Sequence, residues 1–165
     1  MMRTYSGSCY CERVRFRVTA DISIATICNC SVCTKKGFVH LIVEQAQFDL
    51  LAGESHLTSY RFNTCIAEHK FCRHCGIHPF YIPRSDPDKI DVNLRCLEGV
   101  DLEQLELRPF DGRNWEQAIC TAHWQRDTDV SSAVLDRGAV LELAVLDPSP
   151  EPPQGSNLRS NVRSR

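Results

Sequence analysis

The sequence predicts a mainly β domain tied together by metal, and three observations carry that prediction. Apolar and polar residues alternate in VRFRV (Val14, Phe16, Val18) and in KIDVNL (Ile90, Val92, Leu94), the period-two signature of half-buried antiparallel strands. FVHLIV and LTSYRF add runs of β-branched and aromatic strand formers. Seven of the ten cysteines fall into three tight groups, and such groups let distant strands share one ion.

Taken in order, the strands are separated by turn signals at Gly53, at Gly76, in RSDPD and at Gly99. DGRNWEQAICTAHW then predicts one short helix near the C-terminal end of the domain. Asn114 is its expected N-cap, with Gln117 three residues on and an apolar stripe of Trp115, Ala118, Ile119 and Ala122. These elements place a single domain at residues 3–125 and a C-terminal extension at residues 126–165. From about residue 147 the extension is rich in Pro, Ser and Arg and poor in large apolar side chains, so disorder is expected there.

A chain of 165 residues suits one core rather than two. Its net charge of −2 offers no basic footprint, so direct nucleic-acid binding is not expected. No apolar run reaches the roughly 18 residues a membrane span needs. MMRTYSGSCYCERV lacks the apolar stretch of a secretory signal, and a cytoplasmic location is therefore expected. A reducing compartment favours metal over disulfides as the use of clustered cysteines.

The three clusters are Cys9-x-Cys11, Cys28-x-Cys30-x2-Cys33 and Cys72-x2-Cys75. Residues i and i+2 of a strand share a face, so a C-x-C pair delivers two sulfurs to one point. A C-x2-C pair does so from a tight turn, and Gly76 directly after Cys75 suits the positive φ such turns need. Zinc takes four thiolates in a closed structural site and keeps a position free when the protein supplies three. Seven sulfurs thus divide as Cys9, Cys11, Cys72 and Cys75 against Cys28, Cys30 and Cys33. Spacing alone leaves a second division open, a ribbon of Cys30, Cys33, Cys72 and Cys75.

GSCYCERVRF, CNCSVCTKKG and FCRHCGIHPFYIPRS resemble, in order and separation, the signature segments of the glutathione-dependent formaldehyde-activating enzyme family. SYRFNT, RSDPD and PFDGRNWEQAI resemble its centromere protein V-like branch, so the likeness runs from about Tyr5 to Trp124. The resemblance implies a β-tent fold with two zinc ions. It implies a closed site at Cys9, Cys11, Cys72 and Cys75 and a reactive one at Cys28, Cys30 and Cys33. The implied reaction joins glutathione to formaldehyde as a carbon–sulfur lyase does in reverse; the implied alternative is a non-catalytic, zinc-stabilised interaction module. The chain departs from the family pattern at Glu12, where glycine is common, and at Asn29, where histidine is common.

Other residues are candidates on chemistry and position. Lys35 and Lys36 follow the second cluster and are the expected contacts for the carboxylates of a small-molecule thiol such as glutathione. His40, His69, His74 and His78 are near enough in sequence to close the second site, and Arg84 and Asn93 are candidates to line it. His74, inside the knuckle, is expected to face solvent. Cys65, Cys96 and Cys120 stand alone and are expected to be small buried hydrophobes. If a protein side chain fills the fourth position of the second site the interaction module is favoured; a position facing a pocket favours the enzyme.

Overall fold

The computed structural model describes residues 1–121; the end of the expected domain and the whole of the expected extension lie outside the described residues. Among the described residues, ten strands form two sheets. β1 (Arg3–Ser8), β2 (Arg15–Ala20) and β5 (Phe48–Ala52) make an antiparallel three-stranded sheet in the order β1-β2-β5. The second sheet has seven strands: β3 (Ile24–Cys28), β4 (Val39–Glu44), β6 (Leu57–Tyr60), β7 (Glu68–Cys72), β8 (Phe80–Ile82), β9 (Lys89–Asn93) and β10 (Glu106–Phe110). Its order is β10-β3-β4-β9-β8-β7-β6. The fold is mainly β, as expected, and antiparallel but for β10, which runs parallel to β3. No hairpin joins β10 to its neighbour; the chain reaches it from β9 after a long excursion, so direction is unconstrained.

The two sheets meet through aromatic rings. Phe16 of β2 and Phe48 of β5 stack with centroids 5.4 Å apart, and Phe80 of β8 meets them edge-on at 5.7 and 4.7 Å. Val14, Phe16 and Val18 are fully buried, as their alternation predicts. Gly7 of β1 pairs opposite Phe16 of β2, and a Cβ there would come within 2.4 Å of the Phe16 ring. Only glycine lets the strand pass that close.

The alternation in β9 is right about one face and wrong about the other. Val92 and Leu94 are buried as expected, but so are Asp91 and Asn93, at 1% and 5% exposure. The reason lies across the sheet. Pairing sets His69 of β7 opposite Tyr81 of β8 and Tyr81 opposite Asp91 of β9, while His40 of β4 sits opposite Asn93. These side chains form a polar and aromatic row on the face turned away from the three-stranded sheet, and Phe38 and His78 cover it. That row supports the second cysteine cluster.

Two helical features differ from expectation. A six-residue helix, α1 (Ser31–Lys36), begins inside the second cluster, with Cys30 as N-cap and Gly37 as left-handed C-cap. The later helix, α2, is present over residues 115–121, but Asn114 does not cap it. Asn114 ends a 3-10 turn (Gly112–Asn114) that runs straight into α2, and its amide donates back to Asp111 Oδ2 at 2.8 Å. Ala122, the last residue of the expected stripe, lies outside the described residues.

Candidate functional site

The first site joins the two ends of the cysteine pattern. Cys9 and Cys11 lie in the turn between β1 and β2, Cys72 ends β7, and Cys75 lies in the knuckle that follows. Their four sulfurs lie within 4.8 Å of one another. Cys9 to Cys11 is 3.6 Å and Cys11 to Cys72 is 3.7 Å. Four sulfurs at about 2.3 Å around one zinc stand about 3.8 Å apart, so this arrangement fits the ion without rearrangement.

Local backbone explains the fit. Val14 N–H donates to Cys9 Sγ at 3.4 Å, and Gly76 N–H, at φ 74°, closes the knuckle on the Cys72 carbonyl at 2.8 Å. Glu12 has φ 58°, in the left-handed region that favours glycine. The departure from the family pattern therefore falls at a turn position that a non-glycine residue occupies at some cost. Burial pushes the Cys9 thiol up to about 12, whereas backbone hydrogen bonding from Arg13 lowers Cys11 to about 6.

The second cluster lies at the end of β3 and the start of α1. Cys28, Cys33 and His40 place one donor atom each within 4.8 Å of one another. Cys30 is beside them, not in that mutual group. Its sulfur accepts from Cys33 N–H at 3.4 Å, and Cys30 N–H donates to Cys28 Sγ at 3.5 Å. Cys33 donates its proton toward Cys28, which lowers Cys28 to about 5 and drives Cys33 well above the ordinary thiol range. Two sulfurs this close would take a cation in place of their protons readily.

His40 is the residue whose importance a reading of spacing understates. Its Nδ1 lies 2.8 Å from Asp91 Oδ2, and both residues are buried. Burial pulls the His40 pKa down, but the Asp91 carboxylate outweighs it and the net shift is upward. With Nδ1–H donated to Asp91, Nε2 carries the lone pair, and Nε2 is buried with no partner among the described residues. An imidazole oriented by a carboxylate and presenting a bare nitrogen to thiolates is a metal ligand's usual setting. Both cysteine clusters fit zinc.

The loop that follows β10 covers this cluster. Asn29 donates to Asp111 Oδ1 at 2.9 Å and accepts from Arg113 N–H at 3.0 Å. Gly112 between them lies so near that a Cβ would come within 2.3 Å of Cys28 Sγ and 3.0 Å of Cys30 Cβ. Asn29 is therefore a fastener for the covering loop. Gly112→Ala should leave the fold intact yet displace the loop from Cys28 and lower metal occupancy of this cluster alone, as zinc analysis beside a thermal melt would show.

The remaining candidates separate. Lys35 and Lys36 both line a cleft of about 1100 Å³, together with Tyr60, His78, Asn93 and Arg95. Asn93 is thus at the cleft, whose lining includes none of the second cluster's donors. Its amide oxygen accepts from Val39 N–H, and its nitrogen donates to the His78 carbonyl at 3.1 Å. Arg84 is not: its guanidinium lies 3.4 Å over the Trp115 ring and pairs with Glu116. His74 is exposed, as expected, and pairs with His56. His69 and His78 are buried. Burial first, and then the Lys36 charge, lowers His69 to about 4 and His78 to about 2. Cys65 and Cys120 are exposed and Cys96 half-buried, so the expectation of three buried hydrophobes fails for the first two. Cys65 lies in a surface turn at φ 56°, and Cys120 projects from α2.

A mainly β domain with one four-sulfur cluster, a second cluster of mixed sulfur and imidazole, and an adjoining cleft defines a zinc-compatible β-tent protein. Residues 4–121 match the model of the glutathione-dependent formaldehyde-activating enzyme family, and the chain belongs to that family. It is also similar to a Rhodobacter sphaeroides protein of known crystal structure, at 33% identity and a TM-score of 0.57. That likeness covers 63% of this chain and 97% of the other. Among the described residues no helix is long and apolar enough to cross a membrane.

Proposed function

We propose that the protein is a zinc-dependent enzyme that joins a small thiol, glutathione in the first instance, to formaldehyde or a related small electrophile. The observation that carries this reading is the composition of the second cluster. It gathers three donors in mutual reach and a fourth, Cys30, set slightly apart, and α1, which carries Cys33, also carries Lys35 and Lys36 into the lining of the cleft. In this reading Cys9, Cys11, Cys72 and Cys75 hold a structural ion. Cys28, Cys30 and Cys33 with His40 hold the reactive one, and two zinc ions are bound per chain. Cys30 is the donor most readily exchanged for an outside thiol.

When bound there, zinc supplies a positive centre that makes an incoming thiol give up its proton, and the thiolate is the nucleophile. The chain's own residues do the rest. Asp91 holds the His40 ring in one orientation through Nδ1. The Asn29–Asp111 contact keeps the covering loop over Cys28 and limits water there. Lys36, and Lys35 at the more exposed rim, attract the carboxylates of glutathione; Lys36 is the nearer to the cluster, since Cys33 influences its charge.

His40 also favours a second reading, because a closed site of three sulfurs and one imidazole would make this a zinc-stabilised interaction module. Calorimetry separates the two. A thiol that binds as thiolate releases about one proton, so the measured heat should vary with buffer ionisation enthalpy. Binding heat that is the same in every buffer, or no binding of millimolar glutathione, would favour the module.

A further inference from the structure

Beside the second cluster lies a group of buried nitrogens that the proposed thiol site does not use. His69 and His78 are 5% and 6% exposed. His69 Nδ1 and both ring nitrogens of His78 have no hydrogen-bond partner among the described residues. The two rings are 5.3 Å apart between centroids, within reach of one shared oxygen atom. The surrounding walls are aromatic. His69 stacks between Phe62 and Tyr81 at 5.3 and 4.8 Å, and His78 packs against Phe38 at 5.0 Å. Apolar walls around several unpartnered ring nitrogens are costly unless something polar enters.

That something must be small, neutral or weakly anionic, and able to accept hydrogen bonds. Both imidazoles are uncharged at neutral pH, so each offers an N–H. The nearby Lys36 charge disfavours a cation. An entry route exists, because His78 lines the cleft as well as the buried group. Water meets these requirements at rest. A carbonyl oxygen meets them better at the moment its charge grows, because fixed N–H dipoles in an apolar wall stabilise developing negative charge without reorganising.

We propose that His69 and His78 form a carbonyl-binding pocket, in which their ring N–H groups hold the oxygen of a small aldehyde beside the thiol site. The inference rests on the reaction proposed above and specifies where its second substrate sits. The thiolate sulfur attacks the carbonyl carbon; the C–S bond forms as the C=O π pair moves onto oxygen. The histidines stabilise that alkoxide by hydrogen bonds without giving up their protons. Water then supplies the proton that replaces the one lost by the thiol. Tyr81 and Phe38 limit the pocket to small aldehydes.

Two measurements test it. Formamide, an unreactive carbonyl of similar size, is titrated into the zinc-loaded full chain labelled with ¹⁵N-histidine. Saturable shifts of the His69 and His78 ring nitrogens are expected, and unchanged resonances would overturn the pocket. In parallel, His78→Phe keeps the ring and removes the donor. It should lower kcat/KM for the aldehyde by about 10²-fold over background, with zinc content unchanged, and His78→Gln should recover part of the loss. Wild-type kinetics in His78→Phe would overturn the pocket. Should that variant not fold, the formamide titration on the native chain decides. Failure of the native protein to bind a thiol would instead remove the proposed reaction, and the same titration would still judge the pocket.

Discussion

Replacing Cys72 by serine should unfold the domain. Cys72 has no exposed surface, and its sulfur lies 3.7 Å from that of Cys11, so it ties β7 to the turn between β1 and β2. Those strands belong to different sheets, which also meet at the aromatic contact of Phe16, Phe48 and Phe80. Zinc held by four thiolates contributes roughly 10–16 kcal/mol of apparent binding energy, which at a site absent from the unfolded chain is folding energy. A domain of this size has a net stability of about 5–15 kcal/mol, so losing a large part of that contribution leaves little. The expected result is loss of the cooperative melt and of both zinc ions. A folded Cys72→Ser protein that still carries two ions would show that the first cluster is not structural.

Asp91→Asn should have a large but local effect. The substitution keeps the volume of the side chain and removes the charge that fixes His40 through its Nδ1. Loss of such an outer partner usually weakens metal binding by about 10–100-fold. Chelator competition should therefore strip zinc from the second cluster of Asp91→Asn well before that of the native chain. Zinc at Cys9, Cys11, Cys72 and Cys75 should be unaffected, since the Asp91 carboxylate acts on His40, which belongs to the second cluster. Equal loss from both sites would indicate a general loosening of β9. Unchanged affinity would remove His40 from the ligand set.

How much of this was legible in the sequence depends on how local each feature is. The cysteine groups were legible because their spacing is itself the geometry: two residues along a strand or three around a turn. Alternation located β2 and β9, and β-branched runs located β4 and β6, for the same reason. The helix α1 left no trace, because six residues are too few for a helical period and its cap is the Cys30 sulfur. Asn114 misled in the opposite way: it has the chemistry of a cap, but its amide is taken by Asp111. The pairing of His40 with Asp91 spans 51 residues and two strands, so no local pattern announces it. An alternation that places Asp91 on the polar face implies solvent there, whereas the second cluster and its aromatic cover exclude it. No local pattern marks Gly112 either, and only the 2.3 Å approach of its missing Cβ to Cys28 Sγ reveals its place.

Cobalt reports the central claim, that the second cluster binds a thiol, most directly. Cobalt at the second cluster, with zinc kept at the first, gives a visible spectrum set by its ligands. Added glutathione should change that spectrum in a saturable way as an outside sulfur enters, and the change should be absent in Cys28→Ser. A spectrum unmoved by millimolar glutathione in the native protein would contradict the account, because the donors of the second cluster would then already be complete.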